Sequence, residues 1–302
     1  MKAKMEALFR DAQSKGTGLL AAGFMDLTTG ETAYLNPDTA FPTASVFKIF
    51  VLCQLFKMKK AGTFDLSQKH ILQESEKSIG SGELEKVPAG TEFTILDYVM
   101  LMMSISDNTA TDYLCKLAGF DNIRKNIIEP LDLTDTQCHF GCMDLLTRYY
   151  GVTLEEYREK CAGTGWFDAH MGSYFRCTEE KNNQTSPRDL IKLLSLMNEG
   201  KVVDAENDLQ MLDIMAQCKT NSRIPAKLPE GTRVEHKTGT IDHLANDAGI
   251  VRTPKGDYIL VYSYNGNVAS REEYTTTKRA QVGDAILSQL SLDVYNTYLQ
   301  NK

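Results

Sequence analysis

The chain has one tryptophan and eight prolines in 302 residues, and it has no basic run, no internal repeat and no long apolar stretch. Without an apolar stretch near the ~20 residues a bilayer demands, no spanning helix is expected. Lysine and arginine number 33 against 40 aspartates and glutamates, a net charge of −7. That balance, with no basic patch, argues against a nucleic acid or an anionic membrane as partner. The lack of repeats and low-complexity linkers excludes solenoids and beaded arrays. No heptad pattern signals a coiled-coil dimer, so a monomer is expected. Seven cysteines, an odd number without regular spacing, fit a reducing compartment better than a disulfide framework. The opening "MKAKMEALFRDAQSKG" carries Glu6, Arg10 and Asp11 where a signal peptide needs its apolar core. It reads instead as an amphipathic helix with Met5, Leu8 and Phe9 inward. The expectation is a cytoplasmic protein as written, or a periplasmic or secreted one if a leader has been trimmed.

What is present is ordinary globular material, 42% apolar and 24% charged, and long enough for more than one lobe. "GTGLLAAGFMDLTTGETAYLN" reads as a β-hairpin around Thr28-Thr29-Gly30. Helical spacing dominates the middle, as in Ile95, Tyr98, Val99, Met102 and Met103, and again in Leu190, Leu193, Leu194 and Met197. Strand-like text returns in "TRVEHKTGT", "LANDAGIVRT" and "DYILVYSYNG", with Pro254-Lys255-Gly256 as a turn, and "TKRAQVGDAILSQLSLDVYNTYL" closes as a helix. The order predicts a mixed α/β chain. A sheet lobe from residues 1–43 and 201–302 is interleaved with a helical lobe from 44–200, and a cleft lies where they meet.

Three short strings carry chemistry. "FPTASVFKIFVLCQLF" places Ser45 and Lys48 one turn apart at a helix start, within hydrogen-bond reach. Taken alone, a capping serine and a snorkelling lysine explain it as well. Ser106-Asp107-Asn108 lies between two helical stretches, where all three residue types are good N-caps. Lys237-Thr238-Gly239, followed by Thr240, lies in a strand, where a charge and a glycine bulge are unremarkable.

Together, in this order and on these elements, the strings are similar to the S-x-x-K, S-D-N and K-T-G set of the penicillin-recognising serine hydrolases. The chain resembles the class A β-lactamase-like branch of that family over most of its length, including "SDNTA", "TSPRDL", "KTGT" and "NDAGIV". The resemblance implies a five-stranded antiparallel sheet flanked by the N- and C-terminal helices, plus an all-α lobe. It implies Ser45 as nucleophile, Lys48 as its base and Ser106 as proton relay to the leaving nitrogen. Asn108 would hold Lys48 and the substrate amide. Lys237, Thr238 and Thr240 would bind a substrate carboxylate beside Gly239, and the N–H groups of Ser45 and Thr240 would form an oxyanion hole. Lys48 needs a lowered pKa to act as base, and the nearby Lys237 charge is one source. No cofactor and no metal is called for.

The pattern also departs from the family. The omega-loop glutamate that activates the deacylating water has no evident counterpart. Alignment puts Cys142 in its place, Asp144 two residues on, and Glu179 or Glu180 much later. No arginine precedes "NDAGIV" to hold the substrate carboxylate, and Arg223 is the candidate substitute. The segment near 138–178 is an insertion that holds Trp166, a possible lid or substrate wall. The same segment gathers Cys138, Cys142, Cys161, Cys177, His139 and His170, although their spacing matches no zinc knuckle. The leading expectation is a β-lactamase that acylates Ser45, slowly deacylated for want of the glutamate. A D-alanyl peptidase or other small ester or amide hydrolase, and an acylated penicillin sensor without turnover, stand as alternatives.

Overall fold

The late strands are buried along their whole length. β8 (Leu244–Val251) has eight buried residues in succession and β9 (Tyr258–Asn265) seven. Strands that lack polar alternation are covered on both faces, and the computed structural model shows what covers them. It describes residues 1–150, 152–153, 155–156, 159, 182–241, 244–266 and 279–302. β1 (Leu19–Asp26), β2 (Thr32–Leu35) and β7 (Val234–Ile241) complete an antiparallel sheet in the order β2-β1-β9-β8-β7. This is the expected five-stranded sheet. The β1–β2 hairpin closes through Gly30 at φ 73°, a left-handed conformation that glycine adopts without a Cβ clash. The turn into β9 uses Gly256 in the same way, at φ 116°.

Strand register divides the two faces. Phe24 pairs with Leu260, and Val251 with Tyr258, and these side chains meet Met5 and Phe9 of α1 (Lys2–Ser14) and Leu287, Leu290 and Tyr298 of α9 (Arg279–Gln300). Ala248 pairs with Val261, and Ile250 with Ile259, on the opposite face, where they join the core of the helical lobe. Lys237 pairs with Ala248. The period-two rule therefore turns Lys237 toward the helices.

In the helical lobe, α2 (Lys48–Lys60) is buried continuously from Lys48 to Phe56. It has no polar face because other helices surround it. These include α3 (Ile95–Ser104), α4 (Asn108–Ala118) and α8 (Ala205–Met215). α5 (Phe120–Ile123) and α6 (Cys142–Tyr150) follow along the chain, and α7 (Pro187–Asn198) packs on β1 and β9. The expected apolar stripes of α3 and α7 are buried as spaced. Two small sheets escaped sequence reading: β3 (Phe41–Pro42) with β6 (Gln184–Thr185), and β4 (Lys69–Ile71) with β5 (Glu92–Thr94). Pieces of two or three residues are too short to show a period. No helix among the described residues is long and apolar enough to cross a membrane.

Candidate active site

Ser45 is half-buried in a 3-10 turn (Ala44–Phe47) that leads into α2. The preceding residue, Ala44, has φ 42°, a conformation that an L-residue with a Cβ adopts at a cost. β7 passes directly beside this turn. A Cβ added to Gly239 would overlap the Thr43 carbonyl oxygen and lie 3.1 Å from the Ser45 nitrogen. Gly239 is therefore needed for close approach of the two backbones.

Lys48 is fully buried, and its ammonium makes three hydrogen bonds to the 106–108 segment. It donates to Ser106 O at 2.7 Å, Ser106 Oγ at 3.0 Å and Asn108 Oδ1 at 3.1 Å. Lys48 N donates to Ser45 O, but the expected bond between the Ser45 hydroxyl and the Lys48 ammonium is not among those of the described residues. A buried ammonium needs all three donors satisfied, and the 106–108 loop supplies three acceptors. Ser106 holds φ 60°. The loop is fixed by Asp107, which accepts from Ala110 N, Glu83 N and Leu84 N. Asn108 also donates to Ile79 O at 3.0 Å.

Lys237, also fully buried, donates to the same Ser106 Oγ at 3.1 Å and to Thr238 O at 2.9 Å. Burial, and then the neighbouring Lys48 charge, lower its pKa to about 7. Behind it, His236 contacts Asp247 at 2.9 Å. Burial opposes the imidazolium, but the Asp247 carboxylate outweighs it and lifts the His236 pKa to about 10. Thr238 is buried and Thr240 is exposed at the end of β7.

Arg223 is 1% exposed, unlike the solvated side chain that arginine usually is. It donates to Asp284 Oδ1 at 2.6 Å, Gly239 O at 3.0 Å, Asn246 O at 2.7 Å and Thr240 Oγ1 at 2.6 Å. Its position beside Thr240 has no signal in the spacing, since Arg233 lies nearer to the strand.

The chain from Thr136 to α6 is drawn to the site by two brackets. Asn183 Oδ1 accepts from His139 N and Phe140 N, while its backbone oxygen accepts from Thr43 N just ahead of Ser45. Asp112, one turn after Asn108 on α4, accepts from Cys142 N at 2.5 Å, Met143 N at 3.1 Å and Ser78 Oγ at 2.5 Å. Sequence reading missed Asp112, since an aspartate one turn into an amphipathic helix carries no signal of its own. Cys142 is buried within electrostatic range of Lys48 and Lys237, and burial pushes its thiol up to about 12. Asp144 is exposed on α6 and, with Asp112, lines a cavity of about 420 Å³ that neither Lys48 nor Lys237 lines. Trp166, Cys161, Cys177, His170, Glu179 and Glu180 lie outside the described residues. Among the described residues, Cys53, Cys115, Cys138, Cys142 and Cys218 are free thiols, and no group of three histidines, cysteines or acids is placed to hold a metal.

A half-buried serine at a helix entrance, with two buried lysines sharing a second serine between an antiparallel sheet and a helical lobe, defines the class of penicillin-recognising serine hydrolases. The chain belongs to the beta-lactamase enzyme family, whose model matches residues 1–298. It is 25% identical over 281 residues to the β-lactamase VEB-1 of Pseudomonas aeruginosa, covering 89% of this chain and 82% of that one. Its fold is similar to that of a β-lactamase from Sphaerobacter thermophilus, with TM-score 0.79, 24% identity and coverage of 98% and 97%. It is also similar to that of PBP-A, with TM-score 0.77, 22% identity and coverage of 99% and 97%.

Proposed function

We propose that this protein is a class A-like serine β-lactamase that opens the β-lactam amide through an acyl-enzyme at Ser45. The observation that carries the reading is the convergence of Lys48 and Lys237 on Ser106 Oγ, at 3.0 and 3.1 Å, beside the Ser45 turn. A serine hydroxyl is a weak nucleophile until a neighbouring base takes its proton. Lys237 is the amine whose proton is held weakly. A proton passed through Ser106 Oγ, which both amines reach, frees Lys48 to take the Ser45 proton as Ser45 Oγ bonds to the lactam carbonyl carbon. As the C–N bond breaks, Ser106 gives its proton to the departing nitrogen and is re-protonated from the lysine side. Two adjacent buried ammonium groups repel each other, which helps to keep one amine neutral near pH 7.

The substrate carboxylate is met by Lys237, Thr240 and, behind them, Arg223, with Thr238 and Gly239 shaping the strand edge. Asn108 holds Lys48 and receives the substrate amide. The N–H groups of Ser45 and Thr240 stabilise the carbonyl oxyanion, a contribution of about 3–4 kcal/mol per donor in comparable sites. The substrate is thus a small carboxylate-bearing amide, bound by one copy of the chain. The odd, irregularly spaced set of seven cysteines supports a reducing compartment.

Water must then release the acyl group. Cys142 stands where the sequence alignment seeks a glutamate, and a thiol held up to about 12 is not a base at neutral pH. This observation favours slow deacylation, and with it the second reading: a protein that stays acylated, as a sensor or slow peptidase does. Intact-protein mass spectrometry after mixing with benzylpenicillin separates the readings. A transient adduct with product release marks the β-lactamase, a lasting adduct the second reading, and no adduct excludes both.

A further inference from the structure

We infer that Asn246 is the positioning residue for the nucleophile: from β8 its amide clamps the two carbonyls ahead of Ala44 and holds the Ser45 turn against β7. The inference rests on the reading of Ser45 as nucleophile. Asn246 pairs in register with Gly239. The missing side chain of Gly239 leaves the space in which the Thr43 carbonyl approaches, and Asn246 reaches into the same space from the next strand. Its Nδ2 donates to Pro42 O at 2.8 Å and to Thr43 O at 3.0 Å, fully inside the protein.

The amide orientation is fixed by chemistry. With the group flipped, Oδ1 would face two carbonyl oxygens and no donor. As placed, Asn246 Oδ1 is buried and has no partner among the described residues. An acceptor left unsatisfied is unfavourable, so the two clamped carbonyls are retained against a standing penalty. The same Thr43 oxygen accepts from Val46 N, which closes the 3-10 turn. Between these two fixed carbonyls and the turn, Ala44 is driven to φ 42°. Asn246 O in turn accepts from Arg223. The clamp therefore joins the carboxylate end of the cleft to the backbone that aims Ser45.

Loss of the clamp lets Ala44 relax toward negative φ and swings Ser45 away from the lysines. A displacement of about 1 Å in a reacting group lowers rate by about 100-fold. The test follows acylation by benzylpenicillin across concentration in the wild type, Asn246→Ala, and Asn246→Ala combined with Ala44→Gly. Glycine accepts positive φ without strain, so it restores the turn without the clamp. The expected result is a limiting acylation rate about 100-fold lower in Asn246→Ala at an unchanged half-saturating concentration, with most of the loss recovered by Ala44→Gly. Wild-type acylation in Asn246→Ala overturns the inference, as does a loss that Ala44→Gly fails to repair. If Asn246→Ala does not fold, Asn246→Leu keeps the bulk without the two donors and is read the same way. A wild-type protein with no adduct at all overturns the Ser45 reading itself, a result distinct from failure of the clamp.

Discussion

Lys48 and Lys237 share one hydroxyl: each ammonium donates to Ser106 Oγ, from 3.0 and 3.1 Å, and neither lysine is exposed. Removing that oxygen leaves each amine one acceptor short and removes the path to the leaving nitrogen. Ser106→Ala is expected to lower the acylation rate by about 100- to 10,000-fold, the range of general acid–base catalysis. Mass spectrometry against time measures it, with circular dichroism to establish the fold.

Lys237 and His236 are expected to tilt stability in opposite directions. Lys237 falls from 10.5 to about 7 on folding, so the unfolded chain binds more protons between those values and stability rises with pH there. His236 rises from 6.5 to about 10, so its contribution is complete below 6.5 and is lost as pH climbs toward 10. Each effect is on the order of a few kcal/mol. Relative to wild type, Lys237→Met gains melting temperature at pH 7 and loses that gain toward pH 10. His236→Gln loses melting temperature at pH 6 and recovers it toward pH 10. Thermal melts across that range check both signs.

The same titration predicts the pH profile. The lysine pair must lose one proton before Ser45 has a base, so kcat/KM rises as pH climbs through about 7, where the free enzyme's Lys237 gives up its proton. The bound carboxylate favours the charged form, so the corresponding limb of kcat lies at higher pH. Limbs that coincide contradict a direct lysine–carboxylate contact.

Cys142→Glu places a carboxylate where the thiol now sits near Lys48. The lifetime of the acyl-enzyme is expected to shorten by about 100-fold or more. Pulse labelling with penicillin followed by a chase reads it directly. An unchanged lifetime means that another group, in place or absent, limits deacylation.

Arg223→Ala removes four hydrogen bonds and strands Asp284. Asp284 is 22% exposed, so the loss falls below the ~3–5 kcal/mol of a fully buried pair; a lower urea midpoint is expected, together with weaker penicillin binding. Arg223→Lys recovers charge but not the planar fork, and is expected to regain less than half of the binding.

The sheet, the terminal helices and the four residues Ser45, Lys48, Ser106 and Lys237 were legible because each depends on local text: an apolar run, a turn glycine, a short motif. The motifs could not show where the Lys48 donors go, since that depends on the 106–108 loop folding over α2. The partners of Arg223, which the sequence offered as a candidate, and the roles of Asp112 and Asn246 were hidden for a related reason. Each residue acts through backbone atoms more than a dozen residues away, and an ordinary arginine, aspartate or asparagine carries no sign of such partners. The two small sheets, β3–β6 and β4–β5, are fixed by chain entry and exit rather than by any period of their own.

The most direct test of the account is peptide mapping of the protein after brief exposure to benzylpenicillin. The account predicts one added penicilloyl group, located on Ser45 and lost in Ser45→Ala. An adduct on another residue, or an equal yield from Ser45→Ala, would contradict it.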